Sequence, residues 1–425
     1  MKQTITPARK LNGELTVPGE LEPALQALVL AALAQGQSTI HQVPPAVRPL
    51  LQILERLGMA INHKDDAIEV EGRGPLGWSA PEESFSLDGL GPAAPLLVAL
   101  LAAQPFAVSL TWSQGQQETG TELIAQLNAL GAAIIQRADG TLDIGPVETL
   151  VAAQLEPQDL PPAYELALYL AALCAQGTTQ IRRPLKTRDE NVRLLRAWDF
   201  SLKPQRRDDH TLLSIAGGQS PAPRDLHLAG DLHLAYPFIV AALSLKGSRL
   251  NVRQVTLNPG NRTLLDILRQ LGGRIEIAEG KGHIVDLEVQ SSPLKSTRIA
   301  AQRAARLHPL VPLLAILATQ TQGEFVVRDI AALRQGPFDL VAHLVELLRQ
   351  LGAKVGEFPE GFVVEGGQAL SGGKVDARQN PALGLALGIA GLLAESELVV
   401  DQASCIEDIY PQFFATLETL KENRR

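Results

Sequence analysis

Five side chains in this sequence have the types that acid–base or anion chemistry needs: Glu118, His233, Arg303, Arg306 and His308. An imidazole changes charge near neutral pH and moves protons. A guanidinium offers a planar fork to phosphate or carboxylate oxygens. Arg306 and His308 stand two residues apart in AARLHP and form the pair best suited to hold an anion beside a proton carrier, although a histidine at a helix start usually has a structural use. Cys174 and Cys405 lie in or beside apolar runs with no CxxC and no metal-ligand spacing, so neither a disulfide framework nor a zinc site is supported. Two buried or half-buried thiols in a reducing cytoplasm are expected instead. GGQSPAP at 217–223 and VEGGQALSGG at 364–373 offer glycines without a P-loop lysine, so no nucleotide motif is present. No metal and no cofactor is expected.

The scaffold that positions these groups is bounded by size and charge. At 425 residues the chain is too long for one hydrophobic core and fits two domains. A formal charge of -8 and a pI near 5.6 give nucleic acid or an anionic membrane no basic field to bind, and both are set aside as partners. The longest apolar stretches, Ala93–Phe106 and Ala382–Ala394, fall short of the roughly 20 residues that a spanning helix needs. The start, MKQTITPARKLNG, lacks the apolar centre of a secretory signal, and a cytoplasmic location is expected.

One module recurs six times. Each copy has an apolar helical run, a small or polar turn, and a β-rich stretch: LAALAQGQSTI, LLVALLAAQPFAV, LYLAALCAQGTTQI, FIVAALSLKGSRLNV, LLAILATQTQGEFVV and ALGIAGLLAESELVV. After each of the first five comes a second, amphipathic helix, in LQILERLGMAI, LIAQLNALGAAI, LLRAWDFSLK, LLDILRQLGGRI and LVELLRQLGAKV, with FFATLETL as a frayed sixth. The first helix of each repeat is apolar nearly all round and must be buried on every side, while the second keeps a charged face. Two lobes follow, each an inner bundle of three apolar helices wrapped by sheets, with a cleft between the lobes as the large concave surface.

Prolines mark the starts of the six apolar helices: Pro23, Pro92 with Pro95, Pro161 with Pro162, Pro237, Pro309 and Pro381. Proline is tolerated in a first turn because its missing N–H would be unpaired there, and it removes a donor that an anion could use. Glu22 and Glu165 put carboxylates near two of these helix starts, where the dipole favours negative charge. The expectation is a protein that satisfies its own helix ends internally.

From Leu11 to Phe414 the chain resembles the EPSP synthase family of enolpyruvyl transferases. The resemblance rests on LNGELTVPGE, TRDENVRLL at 187–195, AGDLHLAYPFIVAALSLKGS, LNP at 257–259, ALRQGPFD at 332–339 and IYPQFFATL at 409–417. It implies an α/β, two-lobed enolpyruvyl transferase fold, an inverse α/β barrel or prism in each lobe, with six βαβαββ-type repeats, three per lobe. The implied lobes are 1–19 with 231–425, and 20–230.

The family moves enolpyruvyl from phosphoenolpyruvate to shikimate 3-phosphate without a metal. Its lysine and serine after proline-glycine fall on Leu21 and Glu22, and a following arginine on Gln26. The asparagine and arginine of its glycine-rich loop fall near Gly89 and Pro95, and another arginine at or beside Glu118. Its serine-serine-glutamine group falls on Pro161, Pro162 and Ala163, with Glu165 where many members carry lysine. The catalytic aspartate falls on Arg306 and the glutamate of a later motif on Pro337, flanked by Gly336 and Leu340. Arg188, Asp189, Arg193, Asp231, Asn258, Pro309, Arg334 and Asp339 match.

A charge-assisted hydrogen bond contributes roughly 1.5–3 kcal/mol, so four lost contacts would remove micromolar substrate binding. The expectation drawn is a catalytically inactive homologue that binds a protein partner or a small-molecule ligand outside the family's range in the inter-lobe cleft, with no catalytic residues. Its cleft candidates are Glu22, Glu165, Arg188, His233, Arg303, Arg306, His308 and Arg334. Two alternatives stand beside it: the family's own transfer reaction, or changed chemistry in the same cleft.

Overall fold

The structure is a computed structural model that describes residues 2–64, 67–112, 114–185, 189–280 and 282–423, apart from the side chains of 114–119, 279, 301–302 and 423. The six apolar runs form the helices Leu21–Leu33, Ala93–Leu101, Pro162–Cys174, Leu232–Ser244, Val311–Thr319 and Pro381–Leu393. Alanine, leucine and valine on every face leave no side to present to water, and all residues of Ala93–Leu101 and of Val311–Thr319 are buried. In Pro381–Leu393 glycine permits the closest packing. A Cβ at position 388 would stand 2.7 Å from a ring carbon of Phe413, and one at 391 would stand 2.7 Å from the Cβ of Ile5.

Among the described residues the strands form six sheets, one per repeat. In four repeats a short strand before the inner helix pairs in parallel with the strand after it. These pairs are Phe85–Ser86 with Val108–Thr111, Gln154–Leu155 with Thr178–Pro184, Arg298–Ile299 with Glu324–Val327, and Gly373–Asp376 with Leu398–Asp401. A parallel pair needs a crossover of this kind, and the inner helix supplies it. The other two repeats exchange their short strands. Ala8–Leu15 precedes the helix Leu21–Leu33 but pairs with Arg249–Thr256, which follows the helix Leu232–Ser244. Asp225–His227 precedes Leu232–Ser244 but pairs with Gln35–His41, which follows Leu21–Leu33.

The chain therefore divides into two compact units, 1–19 with 229–425, and 20–228. Each holds its own core of inner helices and inward-facing strand residues. The second helices, such as Arg48–Arg56, bury one stripe, here Leu50, Leu51, Ile53 and Leu54. Phe413–Leu420, expected to fray, is a regular helix anchored by buried Phe413, Leu417 and Leu420. Among the described residues no helix is long and apolar enough to cross a membrane.

The proline pattern needs one correction. Pro237 stands inside the helix Leu232–Ser244 rather than at its start, because the helix already begins at Leu232, where Asp231 caps it by accepting the N–H of His233.

Candidate functional site

In the unit that holds residues 229–425, the short helix Ala301–Arg306 ends on Arg303 and Arg306. Both are exposed. Together with Thr263, Asp266 and Ile267 of the helix Thr263–Gln270 they line an open cavity of ≈ 260 Å³. Arg303 Nη1 donates to Gln270 Oε1 at 3.3 Å, which fixes its reach. Arg306 makes no hydrogen bond or ion pair among the described residues. Asp266 is held by Arg262, whose Nε donates to Oδ2 at 3.0 Å. The Asp266 carboxylate thus has an ion-pair partner of its own. The cavity can thus receive a phosphate or carboxylate between two forks.

The other candidates in this unit are placed elsewhere. His308 opens the single turn His308–Leu310, half-buried, with Nε2 enclosed and without a hydrogen-bond partner among the described residues. It is not part of the cavity wall, so the structure does not bring the Arg306 and His308 side chains together there. His233 has its Nδ1 3.1 Å from Asp231 Oδ1 and its ring edge-on to Tyr236, an arrangement that belongs to the helix start.

Arg334 is committed to protein partners. It reaches Asp339 and Glu357, each at 2.8 Å from Nη1, and the carbonyls of Pro359 and Phe358 at 3.0 and 2.9 Å. Asp339 in turn caps the helix Leu340–Gln350 by accepting from Ala342 N–H at 2.9 Å. Burial works to raise the Asp339 pKa, but this N–H and the Arg334 guanidinium outweigh it and hold the carboxyl below the usual range. Pro337 is an exposed residue in the turn between them.

In the unit spanning 20–228, Leu21 is 40% exposed at the head of its helix, and Glu22 accepts from Gln26 Nε2 at 3.3 Å. Glu165, in the first turn of Pro162–Cys174, belongs to a buried polar cluster. Arg183, only 3% exposed, lies 3.2 Å from it through Nε, and Asn191 Nδ2 donates to it at 2.9 Å. Arg183 also reaches Asp189 through Nη2 at 3.0 Å and places its guanidinium 5.9 Å from the ring centre of Tyr169. Burial first, and then the charge of Glu165, push the Tyr169 hydroxyl far above its ordinary pKa. Arg188 and the side chain of Glu118 lie outside the described residues.

Arg183 escaped the sequence reading, although a signal exists. In Thr178–Pro184 the inward positions alternate as Thr179, Ile181 and Arg183, so the strand's register turns a charge into the core. The expected internal satisfaction of the helix ends is only partly realised. Asp231 and Asn380 cap their helices through side chains, whereas the other four inner helices have no side-chain cap. Glu22 and Glu165 turn to neighbouring side chains and not to the helix N–H groups.

The model of the family described as EPSP synthase (3-phosphoshikimate 1-carboxyvinyltransferase) matches residues 5–417. A protein of Streptococcus uberis named 3-phosphoshikimate 1-carboxyvinyltransferase is 30% identical over 98% of this chain and 99% of its own. One of the same name from Herpetosiphon aurantiacus is 31% identical over 99% and 100%. The solved structure of an EPSP synthase from Acinetobacter baumannii superposes with a TM-score of 0.79 at 22% identity, covering 99% of this chain and 98% of that one. The fold is therefore the two-lobed α/β fold of those structures. These relatives correct the expectation of an inactive homologue. Proteins alike from end to end carry the name of the transferase itself, whereas that expectation rested on short motifs compared position by position.

Proposed function

Because the chain belongs to the EPSP synthase family, we propose that it transfers the enolpyruvyl group of phosphoenolpyruvate to the 5-hydroxyl of shikimate 3-phosphate and releases phosphate. The observation that carries this reading is the end-to-end similarity to relatives named for that reaction. In the net transfer a bond forms between the hydroxyl oxygen and the enolpyruvyl carbon, the bond from that carbon to the phosphate oxygen breaks, and the hydroxyl proton ends on the released phosphate. Both substrates are multiply anionic, and Arg303 and Arg306 are the proposed groups for one phosphate or carboxylate.

Leu21 and Pro337, which stand at two polar positions of the family, offer no charge. Each charge-assisted bond missing costs roughly 1.5–3 kcal/mol, which predicts a slow enzyme with weak substrate binding. A cytoplasmic location is proposed with it, and small molecules, not nucleic acid or membrane, are the proposed ligands.

The test is phosphate release with both substrates at millimolar concentration, compared with either alone, in the chain and in Arg306→Ala. Release that needs both substrates and falls about tenfold or more in the variant supports the reading. No release above the single-substrate blanks defeats it.

A further inference from the structure

We propose that His41, Asp225 and His227 form a binding site for a divalent transition-metal ion of the zinc type, which ties the exchanged strand Asp225–His227 to the sheet of its unit. His41 closes the strand Gln35–His41 and pairs directly with His227. Asp225 precedes His227 by two residues, so strand alternation puts both on the face that His41 shares. His41 Nε2 lies 2.9 Å from Asp225 Oδ1. The two imidazoles stack with centres 4.0 Å apart and planes 4° from parallel. One ligand atom from each of the three residues lies within 4.8 Å of the others.

Two imidazole nitrogens and a carboxylate oxygen suit zinc, cobalt or nickel, and three protein ligands leave a position for water. An ion bonds in the plane of each ring, so the stacked rings must splay to bind it. The exposed His227 turns most readily, while His41, at 23% side-chain exposure, is already oriented by its contact with Asp225. The strand Asp225–His227 is three residues long and lies at the edge of its sheet, where parallel pairing with Gln35–His41 holds it. Metal bonds across the strands would add a fastening that backbone pairing of this length does not provide. The sequence conceals the site because 184 residues separate His41 from Asp225.

The experiment titrates ZnCl₂ into the chelator-stripped full chain by calorimetry, with Co²⁺ absorption reporting the ligand geometry. His227→Ala and Asp225→Asn remove ligands at exposed positions, and His283→Ala is the control for an unrelated surface histidine. The expected result is one equivalent bound with a Kd of about 10 μM or tighter. Loss of a ligand should weaken binding on the order of 100-fold, with the control unchanged. Zinc should also raise the thermal midpoint of the wild type and leave that of His227→Ala in place. A wild-type Kd weaker than about 100 μM, or a His227→Ala variant that binds as well as the wild type, overturns the proposal.

Discussion

Replacing Glu165 with glutamine removes one charge from the Arg183 cluster while keeping the shape of the side chain. At the 3.2 Å separation of the ion pair, with an effective dielectric of about 20, the gross attraction is roughly 5 kcal/mol. Part of this is offset because the glutamine no longer has a charge to desolvate, and Asp189 remains 3.0 Å from Arg183 as a second anion. Breaking a buried pair from one side typically costs about 3–5 kcal/mol, and the surviving partner sets the expectation near 3. The readout can be confined to this unit. All three tryptophans, Trp78, Trp112 and Trp198, are buried within residues 20–228, so tryptophan fluorescence follows this unit's unfolding alone. With a urea slope of roughly 3 kcal/mol per molar, the midpoint should fall by about 1 M. Joining Arg183→Met to Glu165→Leu removes both charges, and this double variant should recover much of the loss seen in Glu165→Leu alone. A Glu165→Gln shift below about 0.3 M, or a double variant no better than the single one, would refute the structural role. If Glu165 faced substrate instead, its replacement would spare the midpoint and change KM.

The thiols give a second check. Burial pushes Cys174 up to about 12 and raises Cys405, so a disulfide reagent at pH 8 should titrate neither in the native chain and both in guanidinium. A native thiol that reacts within minutes would contradict that burial. Asp339→Asn keeps an acceptor for Ala342 N–H but removes the charge that faces Arg334, and should cost about 1 kcal/mol at neutral pH, read as a lower urea midpoint by circular dichroism. Because the native carboxyl titrates below its unfolded value, its contribution is complete above the unfolded pKa and is lost as pH falls through the native one. Wild type and variant should therefore converge in acid, and a difference that persists there would assign the cost to something other than the charge.

The architecture was legible because repeated burial writes itself into composition. Six helices without a polar face can only sit inside, and the turns after them recur at a nearly constant interval. Ion pairs leave no such trace. Arg334 reads as a cation available to a ligand until Glu357 and two carbonyls close around it. Arg306 and His308 are close in sequence, yet the change from the helix Ala301–Arg306 to a tighter turn separates their surroundings. Glu165 looked like a helix-dipole carboxylate because its partner Arg183 lies on the following strand and not in the same helix. The short-motif comparison weighed single positions one at a time, whereas the likeness to proteins named for the transferase extends over nearly the whole chain.

The exchange of short strands has a consequence for the newborn chain. The unit spanning 20–228 is contiguous, but its first sheet lacks an edge until Asp225–His227 is made. The other unit must keep Ala8–Leu15 waiting, while all of 20–228 is made, for Arg249–Thr256 and then for the antiparallel partner Lys421–Asn423. At about 5–20 residues per second, that wait lasts on the order of tens of seconds. Throughout it the nascent chain carries one strand without its permanent neighbours, so the contiguous unit is complete before the discontinuous one can close.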